Sequence, residues 1–504
     1  MLPPSPPHPA RSMKSLHLRT VAPLLGLGLA LATASTTTAQ RRPNILFLLA
    51  DDLRADAVTA FGGRNAHTPN FDALAARGTK LDRIYCMGSR HGAVCAPSRA
   101  MLMSGRYLPR VTDDLREVVT LPERLRAAGY ATFMTGKWHN GEAALTRAFP
   151  DASAVFRSGM CSHFDVPLCD VAAGRIVRER RAQRASSEVF ADTAIEYLRA
   201  QRRASAMQPF FVYLPFTAPH DPRDPPPRWL ERLGDLPRPA LPANFRGQHG
   251  LDLGSATMTV RDENLLGWPR DPDLLREQLV EYRALVAHLD EQVGRLLAAL
   301  REEGFADDTL VVFTSDHGLA LGSHGLLGKQ SLYEHSMRSP CILAGRGVPR
   351  GASRSGLCYL LDLTATLLAT AGVHETGDID GRNLWPLVHS QAPVRDDLVL
   401  IYAKTQRALI TDRHKLLRLP DIDCSLVFDL EDDPHEVADL GGQPASMDLQ
   451  ASLTRRLQRA LLELSDPLPW TAAKLRPAEI DLSGRRFDPD RWQPDWIRNK
   501  YWTR

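Results

Sequence analysis

Residues 44–52 read Asn-Ile-Leu-Phe-Leu-Leu-Ala-Asp-Asp. The apolar run from Ile45 to Ala50 shows no alternation of polar and apolar positions. A strand made of it must be covered on both faces, as in a parallel sheet held between layers of helix. The run stops at two carboxylates, Asp51 and Asp52. Phe210–Leu214 and Leu310–Thr314 repeat the pattern, and they run on into Ala218-Pro219-His220-Asp221 and Ser315-Asp316-His317-Gly318. In open α/β sheets a site lies outside the carboxyl ends of the strands, where these polar clusters fall.

Outward from these strands, Leu275, Leu279, Tyr282, Val286, Leu289, Val293 and Leu297 recur at three- and four-residue spacing and predict one long helix. Further helices are expected at Asn70–Ala76, Pro97–Ser104, Leu121–Ala128, Val189–Arg199 and Tyr359–Ala371. Strands alternating with helices give an α/β domain with a large, mostly parallel or mixed sheet. Past about residue 390 the pattern changes. Leu398–Ala403, Arg407–Thr411, Lys415–Leu419 and Ser425–Leu430 read as short strands of an antiparallel sheet, and Met447–Leu464 as an amphipathic helix. The expected organisation is a segment 1–39, a main domain 40–390, an α+β subdomain 391–465 and a tail 466–504. The tail carries Trp470, Trp492, Trp496 and Trp502, indoles suited to pinning it across the protein surface.

The chain has 504 residues, 62 Lys and Arg against 59 Asp and Glu. So small an excess of positive charge argues against a nucleic-acid binder. Residues 1–39 hold no acid. Arg11, Lys14 and Arg19, the apolar run Val21–Ala32 and the small residues Ala34 to Ala39 compose a secretory signal peptide. Its three cations equal the whole net charge of +3, so the basicity belongs to the export signal. No other segment predicts a membrane span, and the mature chain is expected in the periplasm or outside the cell. Export makes disulfides feasible. Of the seven cysteines, Cys161 and Cys169 lie close together in a loop-like stretch and are the expected pair; the alternative is that the cysteines stay reduced as small buried residues. Within the cations, 8 Lys stand against 54 Arg, so each lysine invites inspection.

The stretch Cys95-Ala-Pro-Ser-Arg-Ala-Met-Leu-Met-Ser-Gly-Arg106 puts a thiol just ahead of Pro97, a residue suited to a first helical turn. A helix N-terminus favours anions and a reactive thiol. The same stretch resembles the signature of the type I sulfatases. The resemblance runs from Arg42-Pro-Asn-Ile-Leu46 through Asp51-Asp52, Thr135-Gly-Lys-Trp-His139, Ala218-Pro-His-Asp221, Ser315-Asp-His-Gly318 and Leu327-Gly-Lys-Gln330 to Val427-Phe-Asp-Leu-Glu-Asp-Asp-Pro434, in the family's order.

The resemblance implies an alkaline phosphatase-like fold and the hydrolysis of sulfate esters, with sulfated glycans the first expected substrate. It implies that Cys95 is converted to formylglycine by a maturation enzyme. It also implies a calcium ion (Mg²⁺ or another divalent cation being the alternative) held by Asp51, Asp52, Asp316, position 317 and the formylglycine oxygen. Position 317 is His317 here, where many relatives have Asn; an imidazole is a softer ligand and shifts metal preference. Arg99 would orient the formylglycine and screen the metal-site charge. Lys137, Lys329 and His220 would bind the sulfate, with Lys329 or His220 as the acid for the leaving alcohol and His139 as the base that expels sulfate. Lys137 and Lys329 supply protons as a guanidinium cannot. His91, near Cys95 in sequence, is a candidate substrate contact. The alternative activity is that of a phosphonate monoester or phosphodiester hydrolase of the same superfamily. The arginines of 156–182 read as a solvated face rather than a basic lip for an acidic glycan.

Overall fold

The computed structural model describes residues 42–502, apart from 65, 206, 374–376, 486–488 and 490. The proposed signal peptide lies outside the described residues. Ten strands form the main sheet: β1 (Asn44–Ala50), β2 (Gly78–Leu81), β3 (Ala131–Lys137), β4 (Ala152–Phe156), β5 (Val166–Ala172), β6 (Arg175–Ala182), β7 (Phe210–Pro215), β8 (Thr309–Ser315), β9 (Cys341–Ala344) and β10 (Ala352–Arg354). Their order is β10-β2-β9-β8-β1-β7-β3-β4-β5-β6. The centre is parallel, with β1 between β8 and β7, whereas β9 and the β5–β6 hairpin run antiparallel toward the two edges.

The uninterrupted apolar run of β1 is explained by two cores. Ile45, Phe47 and Leu49 enter one; Leu46, Leu48 and Ala50 enter the other. The second core is closed by α1 (Pro69–Ala76), α4 (Ser186–Arg203) and α5 (Pro272–Glu302), with Phe71 of α1 stacked on Phe313 at 4.1 Å between centroids. The first is closed by α2 (Cys95–Ser104), α3 (Leu121–Ala127) and α6 (Asp362–Thr370). Local chemistry sets the helix starts. Thr120 and Glu123 form a capping box for α3, and the Asp271 carboxylate accepts the N–H groups of Asp273 and Leu274 ahead of α5.

The small C-terminal sheet packs into the first core, through β11 (Leu398–Tyr402), β12 (Gln406–Ile410), β13 (His414–Leu419) and β14 (Cys424–Asp429), and is backed by α7 (Met447–Glu463). It has a fifth strand that the sequence did not suggest: Gly88–Ser89, from near the start of the chain, pairs parallel with β11. Residues 166–182, for which no strand was expected, form the β5–β6 hairpin; Arg175 and Arg178 are exposed on it, while Arg180 pairs with Asp170 and Arg181 with Asp165, both at 2.6 Å.

The expected Cys161–Cys169 disulfide is corrected by the layering: all seven cysteines are free. Cys169 projects from β5 into the first core and Cys161 packs in the second, so the sheet separates the two thiols. Beyond residue 466, Trp470 lies under the Arg418 guanidinium, and Trp496 donates its indole N–H to Asp224 at 3.0 Å. Among the described residues no helix is long and apolar enough to cross a membrane.

Candidate functional site

Register brings the acids together. Ala50 of β1 pairs with Ser315 of β8, so Asp51-Asp52 and Asp316 leave adjacent strands at the same level. The Asp52 N–H donates to Asp316 Oδ1 at 3.2 Å, and Asp52 holds a left-handed φ of 67°, a conformation Asp tolerates better than most residues. Lys137 ends β3, one strand beyond β7. Its Nζ donates to Asp51 Oδ2 at 2.5 Å. Cys95 opens α2, and Pro97 fits the first turn because its missing N–H would have found no helical partner there.

Around the Cys95 sulfur, His317 Nε2 lies at 3.2 Å, Lys329 Nζ at 3.5 Å and Asp52 Oδ1 at 3.7 Å. Lys329 donates to both Asp52 oxygens, at 2.9 and 2.8 Å. His220 Nε2 is 3.8 Å from Asp52 Oδ2, and its Nδ1 is aimed at the Asp221 carbonyl at 2.7 Å. One turn into α2, Arg99 donates to Asp316 Oδ2 at 3.1 Å and to the Lys137 carbonyl at 2.7 Å, with Asp51 Oδ1 at 3.4 Å. His139 follows Lys137 with a φ of 57°, and its Nδ1 is buried without a hydrogen-bond partner.

The electrostatics follow from burial and pairing. Burial pushes Asp51 up, but the Lys137 ammonium, helped by Arg99, holds it below its ordinary value. Burial pushes Asp52 up to about 6 against the pull of Lys329 and His317. Asp316 would also rise on burial, yet His317 and Arg99 hold it well down. Burial keeps His139 and His220 neutral, aided by Lys137 in the first case and Lys329 in the second. Burial, then the Asp51 charge, pushes the Cys95 thiol well above its ordinary range. The reactive thiol expected at a helix N-terminus is therefore reversed: desolvation outweighs the helix end, and unmodified Cys95 stays protonated.

Asp51, Asp52, Cys95 and His317 place ligand atoms within 4.8 Å of one another, all buried. Asp51 Oδ1 accepts no hydrogen bond, its ion pair being the Arg99 guanidinium at 3.4 Å, so the oxygen still has room for a cation. Two carboxylates and an imidazole suit a divalent ion, with the Cys95 sulfur standing where a formylglycine oxygen would be. His91 stands apart. It is exposed and bound through Nε2 to Asp113 at 2.6 Å. Gln330 ties the neighbouring backbone to the cluster, donating to the Gly92 carbonyl and to Asp262.

Three further groups bear on the site and were not singled out by the sequence. Asp262 lies 3.8 Å from Lys329 Nζ. Arg261 grips Asp221 through two nitrogens, at 2.5 and 2.9 Å. Gln493, from the tail, donates to Asp221 Oδ2 at 2.9 Å. Only the Asp221 position carried a signal, through its motif; the other contacts span 40 residues or more.

A family model described as sulfatase matches residues 43–373. The chain belongs to the sulfatase family. It is a sulfuric ester hydrolase with an alkaline phosphatase-like fold. A second model, of the N-sulphoglucosamine sulphohydrolase C-terminal region, matches residues 322–463 of this sulfatase. The sulfatase is 27% identical to an N-acetylglucosamine-6-O-sulfatase of Bacteroides thetaiotaomicron, over 91% of this chain and 93% of that one. Its fold is shared with a solved protein in complex with its substrate D-glucosamine-2-N,6-O-disulfate (TM-score 0.73, 24% identity, 85% of this chain and 99% of that one). It is shared too with a phosphonate monoester hydrolase of Silicibacter pomeroyi (TM-score 0.68, 22% identity, 84% and 96%).

Proposed function

We propose that this sulfatase is exported and hydrolyses sulfate esters of sulfated glycans, using a formylglycine made from Cys95 and a bound divalent cation, calcium by family resemblance. The observation that carries the reading is the convergence on one buried sulfur of the Lys329 ammonium, the His317 imidazole and the Asp52 carboxylate, with Asp51 and its Lys137 partner in the same buried cluster. The relative that acts on N-acetylglucosamine 6-O-sulfate supports a glycan substrate, and residues 1–39 support export.

Asp51, Asp52, Asp316, His317 and the residue-95 oxygen would hold the cation, whose chemistry is Lewis-acid polarisation of the oxygens beside it. The formylglycine supplies the oxygen nucleophile that a protonated thiol does not. With Asp51 and Asp52 engaged as ligands, Lys137 and Lys329, now paired with them, would be free to face the sulfate and neutralise its oxygens, with His220 lining the site beside them. Lys329 donates the proton to the departing alcohol oxygen; His220, neutral and with its Nδ1–H given to the Asp221 carbonyl, has no proton on Nε2 to supply. Its backbone-held Nδ1 leaves His220 Nε2 as the atom turned to the site. His139, neutral and with Nδ1 unengaged, takes up the proton released at residue 95 as sulfate leaves. Arg99 holds Asp316 and Asp51 in place throughout.

The test is a side-by-side measurement of kcat/KM on glucosamine and galactosamine sulfates and on a phenyl phosphonate monoester, with residue 95 read by mass spectrometry. Faster turnover of a sulfated sugar by protein carrying the aldehyde supports the proposal. Preference for the phosphonate moves the enzyme to the alternative class whose fold it shares.

A further inference from the structure

A cavity of about 440 Å³ lies on the far side of the Asp52–Arg54 backbone from the catalytic cluster, between that loop, α5 and residues 239–243. None of Cys95, Lys137, His220 or Lys329 lines it. Its charged lining is Arg54, Asp56, Arg64, Arg283 and His435. The one acid, Asp56, is committed to Arg54, whose Nε and Nη2 each reach it at 2.7 Å. Arg64 and His435 are exposed at the rim.

Arg283 is the exceptional member. It is only 7% exposed, and no carboxylate pairs with it among the described residues. Its Nη1 donates to the Pro237 carbonyl at 2.9 Å and its Nη2 to the Leu233 carbonyl at 3.5 Å, while its Nε is buried with no hydrogen-bond partner. Burial alone acts on it, pushing the guanidinium below its ordinary range. A buried cation without a counter-charge is costly, and an anion beside it offsets that cost. The rest of the cavity is apolar, with Leu241, Leu279, Val286 and Leu321 on its walls. Tyr282 forms the partition: its hydroxyl donates to the Asp52 carbonyl at 2.8 Å and accepts the Arg54 N–H at 3.1 Å.

We infer that this cavity is a binding site for an amphiphilic monoanion, an acid group on a compact hydrocarbon body, with Arg283 as the anion's partner. The volume suits a small organic ligand. The site is separate from the catalytic one, and the inference stands or falls independently of the proposed chemistry at Cys95.

The experiment is calorimetric titration of the full chain with decanoate at pH 8, with decanol as the uncharged control. We expect one saturable site and at least tenfold weaker binding of decanol. Arg283→Leu, which keeps bulk and removes charge, should weaken decanoate at least tenfold. Leu279→Trp, at a half-buried wall position, should do the same by filling the cavity. No decanoate binding to the wild type, or equal affinity in either variant, would overturn the inference. Because the decanol comparison uses the wild-type chain, the test does not depend on either variant folding.

Discussion

Lys329 and a divalent cation ask for the same carboxylate, and this competition can be measured. Lys329 holds both oxygens of Asp52, at 2.8 and 2.9 Å, with both side chains buried. Lys329→Met keeps the stem and removes the charge. In chelator, Asp52 is left without its main partner, and breaking such a buried pair costs about 3–5 kcal/mol. With a cation on Asp52 the carboxylate stays compensated. What is then lost is the looser contact to Asp262 at 3.8 Å, about 1 kcal/mol on the scale of weak ion pairs. By linkage the difference, about 2–4 kcal/mol, reappears as tighter ion binding, about 30- to 700-fold. Urea unfolding of wild type and variant, each with chelator and with Ca²⁺, gives the two stability differences; calorimetric Ca²⁺ titration gives the affinity directly. Equal destabilisation in both conditions together with an unchanged Ca²⁺ affinity would refute the competition, and with it the assignment of Asp52 as a ligand.

Cys95→Ala should fold with the wild-type unfolding midpoint within a few degrees, bind a sulfated sugar in equilibrium dialysis and release no sulfate; wild-type-like turnover would remove residue 95 from the chemistry. Asp290 gives a pH-dependent expectation remote from the site. It accepts the Asn70 and Phe71 N–H groups at the start of α1, and burial pushes its carboxyl from an ordinary 3.8 up to about 6. Between those values the folded protein keeps a proton that the unfolded chain has lost. Unfolding free energy therefore falls as pH rises through that window, by at most about 3 kcal/mol, and is flat above it. Asp290→Asn should remove that slope from urea midpoints taken at pH 4, 5, 6 and 7, and an identical slope in the variant would contradict the account.

How far the sequence reached is clear from particular residues. The run Ile45–Ala50 was legible as a two-sided buried strand because apolar continuity reports burial directly, and its carboxyl end located the acids. The lysines stood out because the chain otherwise uses arginine, and both lie within 3.5 Å of an acid or of the Cys95 sulfur. What stayed hidden was pairing across long separations. Nothing local in Gly88–Ser89 says that it joins a strand beginning at Leu398. Nothing in Gln493 says that it meets Asp221. The Cys161–Cys169 expectation failed for the same reason: nearness along the chain says nothing about which face of a sheet each thiol enters. The protonated state of Cys95 was hidden too, because its desolvation comes from elements 40 to 230 residues away.

The contact between Gln493 and Asp221 gives the molecule an order of assembly in time. Cys95 is 2% exposed in the finished fold, so no other protein can act on it there. Synthesis delivers Cys95 about 400 residues ahead of Gln493. Until Gln493 emerges, Asp221 lacks one of its holding groups and is gripped by Arg261 without it. Under the proposed conversion of Cys95, the thiol is altered while the polypeptide is still open, before the fold buries it.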